Sequence, residues 1–348
     1  MKKALSDYVP GAHPVFGDVP VTVDRVLFES APPAQVSFIV PVHNQQGVIA
    51  RNLDSIITCA RLPHEICLIV DGCTDDSLAE IMEWLDGLGG RSRRTSKVVV
   101  AVSDDGIFET ACDALGISLT SAEYVIEVQA DMHIEHVGFD RVMTNALDEN
   151  VDVFAVSGRG IHPVALVRRP GHEVHRQWSR VSNLLAKQFS QLQGRVPAAR
   201  AFEPLMFRIT GQAGRLGEAI NRPLHPRTKP RVYVGGSVIR GPLAFRRRDY
   251  EGLDGFDLEH FFLGNDDHDL MFRAQAVTGR TGGYVPIHFS APLDQGSTRK
   301  TKSDREKKRF SELKTSFGSR DGGSALFGPA RGTSLARVRR GTRIAQDA

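Results

Sequence analysis

No uninterrupted apolar run in this chain is long enough to cross a bilayer, which takes about 20 such residues in a helix. Met1-Lys2-Lys3 leads into Asp7, Pro10 and Gly11 rather than the apolar core of a signal peptide. The expectation is a cytoplasmic protein, either soluble or held peripherally on the inner face of a membrane. Cysteine is scarce. Cys59, Cys67, Cys73 and Cys112 form no CxxC pair, which argues for reduced thiols over a zinc site or a disulfide framework. Aromatic residues make up only 7% and do not interleave with the basic stretches, so no nucleic-acid partner is expected. The net charge is a modest +3 over 348 residues. What is present is ordinary: 41% apolar and 24% charged residues suit a globular chain of one large or two small domains.

Four apolar runs mark the first half: Val36–Val42, Ile66–Val70, Val98–Val102 and Tyr124–Val128. Ile49, Leu53, Ile56 and Ile57 recur at helical spacing between the first two, and Leu78, Ile81, Met82 and Leu85 do so after the second. Continuous apolar strands alternating with amphipathic helices predict an α/β fold with a mainly parallel sheet covered on both faces. Ligands then bind at the carboxyl ends of the strands. The polar residues there are His43, Asn44, Asp71, Asp104, Asp105, Gln129 and Asp131.

Residues 1–35 are rich in Pro and Gly and read as an arm packed on the outside. Residues 158–230 break the pattern. Val174, Trp178, Val181, Leu185 and Leu192 share one helical face, with Arg176, Arg180 and Lys187 off it. That basic surface is either a solvated face or a contact for an anionic membrane or acceptor. Beyond Ser297 the chain is basic and poor in aromatics, which predicts a partly disordered tail.

Three segments tie the pattern together: Val36–Asn44, Gln129-Ala130-Asp131-Met132-His133, and Gly264-Asn265-Asp266-Asp267-His268-Asp269-Leu270. In order and spacing they resemble a family 2 glycosyltransferase of the GT-A fold, from about Val36 to Ser297. The resemblance implies a Rossmann-like sheet flanked by helices, with a smaller acceptor-side subregion. It divides the chain into an arm (1–35), a nucleotide-sugar-binding half (36–157), a basic helical insertion (158–230), an acceptor and catalytic half (231–297) and a basic flexible tail (298–348).

The activity implied is inverting transfer of a sugar from a nucleotide diphosphate (UDP-, dTDP- or GDP-linked) to a hydroxyl of a glycan or lipid-linked acceptor. Pro41, His43 and Asn44 match the first nucleotide loop. Asp71 stands where the base is read, and a carboxylate there accepts ring N–H groups. Asp105 closes a neighbouring strand. Where the family carries Asp-x-Asp, this chain has Gln129-Ala130-Asp131. Gln129 and Ala130 then face the donor, while Asp131, His133 and His288 are the expected ligands of a divalent cation, Mn2+ or Mg2+. Asp267 matches the catalytic base, with Asp266 tuning it or binding the acceptor. Asp269 and Arg273 read as a structural pair. Arg299 belongs to a segment that would close over the diphosphate.

Two departures stand out: Gln129, and Asp113-Ala114 where the family often has Arg-Asn. They open a second reading, a weak or inactive relative that binds a nucleotide-sugar or a partner protein. A third, a sugar-1-phosphate nucleotidyltransferase, would want a Gly-rich basic phosphate loop where His43-Asn44-Gln45-Gln46-Gly47 stands.

Overall fold

The computed structural model describes residues 2–28, 31–89, 93–159, 161–162, 227–229, 232–235, 237–264, 266–285, 287–291 and 304–317. Its elements begin with β1 (Lys2–Ala4), α1 (Pro14–Gly17), β2 (Pro20–Leu27), β3 (Val36–Val42), α2 (Ile49–Cys59), β4 (His64–Asp71) and α3 (Ser77–Asp86). Then follow β5 (Thr95–Ser103), α4 (Phe108–Ser118), β6 (Tyr124–Glu127), β7 (His133–Ile134), α5 (Phe139–Glu149), β8 (Val153–Ser157) and β9 (Ile161–His162). The remainder comprises β10 (Arg227–Lys229), β11 (Val232–Gly235), β12 (Ser237–Val238), β13 (Leu243–Arg246), α6 (Arg247–Glu251), α7 (Asp266–Thr278), β14 (Thr281–Tyr284), β15 (Phe289–Ser290) and α8 (Asp304–Ser316).

The fold is α/β. One sheet runs β1-β2-β5-β4-β3-β6-β13-β8-β14-β11-β10. Its centre, β5-β4-β3-β6, is parallel. β13 inserts antiparallel between β6 and β8, and β14 lies parallel to β8. Side chains alternate between faces along a strand, so an uninterrupted apolar run feeds two cores. Phe38, Val40, Ile66 and Leu68 pack with residues of α2, α3 and α5. Ile39, Cys67, Ile69 and Val99 pack with residues of α4 and α7 on the other face. Gly116 lets α4 close on the sheet, because a Cβ there would come within 2.5 Å of Ile39 Cγ2.

Three expectations change. The arm is not an outer wrapping: β2 pairs antiparallel with β5 from Val21↔Ser103 to Leu27↔Lys97, and β1 pairs with β2. This satisfies the backbone edge that β5 would otherwise expose, and Leu5, Phe16 and Val21 join the core. Met82 is exposed, and Trp84 takes the buried position beside Ile81 and Leu85, its indole donating to Asp54 at 2.8 Å. The tail expected to be flexible contains α8, anchored by the fully buried Leu313. The basic helical face at 158–230 and Arg299 lie outside the described residues. Among the described residues, no helix is long and apolar enough to cross a membrane.

Candidate functional site

The parallel centre of the sheet delivers four strand ends to one edge, and a cavity of about 310 Å³ opens there. Pro41 and His43 come from the end of β3, and Asp71, Gly72 and Thr74 from the end of β4. Asp104, Asp105 and Gly106 follow β5, while Glu127, Gln129, Ala130 and Asp131 end β6. Phe108, Glu109 and Cys112 of α4, Arg159, and Glu306 and Arg309 of α8 also line the cavity.

Asp71 is buried, and its two oxygens accept the backbone N–H groups of Ile107 (2.7 Å) and Phe108 (3.0 Å). Burial pushes its pKa up, and these N–H groups and His43 oppose that shift. The expected base reader therefore also anchors the entry to α4. It helps hold Phe108 at a φ of 65°, a conformation costly for an aromatic residue. Gly72 makes the close approach of the two loops possible. Its φ is +53°, and a Cβ would sit 2.8 Å from Gly106 N. Asn44 does not line the cavity; its Oδ1 accepts from Thr74 N at 2.8 Å and so ties the β3 and β4 loops together.

His43 lies between two acceptors. Its Nδ1 is 2.7 Å from the Asp71 carbonyl and its Nε2 is 2.7 Å from Glu306 Oε1. The carbonyl can only accept, so Nδ1 carries a proton. α8 reaches this position because Leu313 is buried and Phe310 packs near Phe108 and Phe262.

Of the expected metal ligands, Asp131 lines the cavity. His133 instead lies in the short β7–β15 ladder, opposite Ser290. His288 is exposed and stacks on His136 at 5.5 Å. Burial and the His288 charge push the His136 pKa down. Among the described residues, no three His, Cys, Asp or Glu side chains are placed to share a metal ion. The residues thus do not form the three-ligand set expected of Asp131, His133 and His288. Asp131 alone of the three lines the cavity, where a carboxylate can share a cation with a ligand's own phosphates.

Asp266 and Asp267 start α7, are both buried, and lie outside the cavity lining. Asp267 Oδ1 accepts from His268 N at 2.8 Å. Asp266 bonds to Arg240 Nη2 at 2.7 Å, beneath the cavity. Burial pushes the Asp266 pKa up to about 6 against the pull of Arg240. Asp269 accepts from Arg273 Nε at 2.7 Å, the structural pair the spacing predicts. Asp113, which stands where the family often has a basic residue, faces Arg240 at 3.0 Å outside the cavity lining.

Sequence reasoning passed over Glu109, Glu127, Arg159, Arg240, Glu306 and Arg309. Glu127 carried a signal, since an acid inside an apolar strand needs a buried partner. Glu306 and Arg309 were hidden in the composition of the tail.

No family model matches the chain, and no curated protein sequence does. Among solved structures it is similar to GalNAc-T7 with UDP, GalNAc and Mn2+, at 12% identity and a TM-score of 0.46, over 73% of this chain and 42% of that one. It is similar also to residues 1–349 of S. aureus TarS in complex with UDP, at 13% identity and a TM-score of 0.42, over 73% and 60%. The chain therefore spans less than half of the first structure and three fifths of the second.

Proposed function

We propose that this protein is an inverting glycosyltransferase that takes a sugar from a nucleotide diphosphate and passes it to an acceptor hydroxyl. One observation carries the reading. Pro41, His43, Asp71, Asp105, Gln129, Ala130 and Asp131, chosen from motifs and strand ends scattered over ninety positions, line a single cavity. Its volume of about 310 Å³ falls in the range of small-molecule sites.

In this reading the base lies at the β3 and β4 ends, against the His43 imidazole and near Asp71. The diphosphate lies toward Asp131, in a cavity that Arg159 and Arg309 also line. A divalent cation bound there would be held by Asp131 and would neutralise charge on the departing diphosphate. Asp267, at the start of α7, takes the proton of the attacking hydroxyl as it approaches opposite the leaving group. The neighbouring Asp266, bonded to Arg240, is the other member of the carboxylate pair at the start of α7.

The test is hydrolysis and transfer with UDP-, dTDP- and GDP-sugars, run with Mn2+ or Mg2+ and again after EDTA. Turnover by the wild type is expected, and it should be lost in a folded Asp131→Asn variant. Binding without turnover would favour the inactive relative. A folded protein that neither binds nor turns over any of these donors would end the proposal.

A further inference from the structure

Beneath the cavity lies a charged cluster only part of which the proposed reaction uses. Arg240 is 7% exposed. Its guanidinium meets Glu109 and Asp113 of α4 at 3.0 Å each, Glu127 of β6 at 3.2 Å and Asp266 of α7 at 2.7 Å. The Phe256 ring lies 5.4 Å away and covers it. One cation therefore joins a strand and a helix on the donor side to the helix that starts with the carboxylate pair.

The four contacts are not equivalent. Arg240 Nη2 donates an aligned hydrogen bond to Asp266. Arg240 Nε and Nη1, and the oxygens of Asp113 and of Glu127, make no aligned hydrogen bond. The three buried carboxylates, with the part-buried Glu109 beside them, cannot all stay ionised around one guanidinium, because burial disfavours each charge. Burial pushes Asp113 and Glu127 well above the usual carboxylate range, but Asp266 only to about 6. Geometry and charge agree that Asp266 is the counterion. Glu109 and Glu127 also line the donor cavity.

We propose that Arg240 is a positioning residue: through its bond to Asp266 it fixes the first turn of α7, and with it Asp267, against the Glu109 and Glu127 floor of the cavity. The catalytic part of this inference rests on the transferase reading; the anchoring part rests on geometry alone.

The test uses the full chain at neutral pH. Arg240→Lys keeps a charge but loses the planar fork and its bond to Asp266. Asp113→Asn disturbs the same cluster and leaves that bond in place. Amide hydrogen exchange in α7, UDP binding by calorimetry and transfer kinetics are compared. In Arg240→Lys, exchange at the first turn of α7 should rise about tenfold, with UDP affinity kept within about threefold. Its kcat should fall about 10²-fold at an unchanged donor KM, the effect of a small misplacement of a reacting group. Asp113→Asn should keep wild-type UDP affinity and kinetics and show no rise in exchange at the first turn of α7. If Arg240→Lys does not fold, Asp266→Asn carries the same expectations for exchange and UDP binding. Wild-type exchange and turnover in Arg240→Lys would overturn the proposal, and so would equal losses in both variants. A wild type inert toward every donor sinks the transferase reading, while the α7 exchange comparison still decides the anchoring.

Discussion

Replacing Asp113 by Asn tests how the buried cluster is charged. Asp113 is 1% exposed, and neither of its oxygens has an aligned hydrogen bond. Burial pushes its pKa well up, and Arg240 pulls the other way. The folded chain thus keeps a proton that the unfolded chain releases above about pH 4. A native state that binds more protons is most stable below the unfolded pKa and loses that stability as pH rises toward the folded one. The slope for one such proton is about 1.4 kcal/mol per pH unit. An amide has the shape of the protonated acid and does not titrate, so Asp113→Asn removes one such slope. Between pH 5 and 7 the variant should therefore gain stability on the wild type as pH rises. Urea unfolding of both proteins across that window, compared at equal m-value, measures it. A difference that does not vary with pH would show that Asp113 is ionised and paired in the fold, and the reasoning would fail. So would a destabilisation that grows with pH.

Asp267→Asn should lower transfer by about 10²–10⁴-fold and leave nucleotide binding intact; normal transfer in this variant, with loss in Asp266→Asn, would move the base to Asp266. Gly72→Ala should cost about 1–3 kcal/mol from its φ of +53° and weaken nucleotide binding, because the β4 and β5 loops must part; an unchanged Tm and Kd would refute this. Leu313→Asp puts a charge where α8 is fully buried and should free that helix, making the chain after residue 303 sensitive to limited proteolysis. Wild-type protease resistance would show that α8 is held by other contacts.

The parallel centre of the sheet was legible because its strands are buried on both faces and so read as unbroken apolar runs. Val36–Val42 is a strand over those residues. The next strand begins earlier than its apolar run, at His64 and Glu65. Those side chains are satisfied sideways, His64 by Thr95 and Glu65 by Ser37 and Lys97, which no local pattern reveals. The donor-side motifs were legible because each sits at a strand end. Arg240 was not, because its partners run from residue 109 to residue 266 and only the fold brings them together. α8 was missed for a related reason. It offers few apolar residues, and Leu313 and Phe310 anchor it only against a surface already formed. His133 stands opposite Ser290 in the β7–β15 ladder, and among the described residues no three metal-binding side chains gather around it.

The seating of α8 also dictates an order of assembly. His43 and Glu306 are 263 positions apart in sequence, and the His13 and Phe317 rings stack at 4.2 Å. Contacts so distant form only after much of the intervening chain is fixed, since closing a long loop is entropically costly. On a ribosome the sheet and its first three crossovers can be made while α8 is still in the tunnel or unsynthesised. The nascent protein would then carry an open trough at the strand ends, and its fourth wall would arrive last.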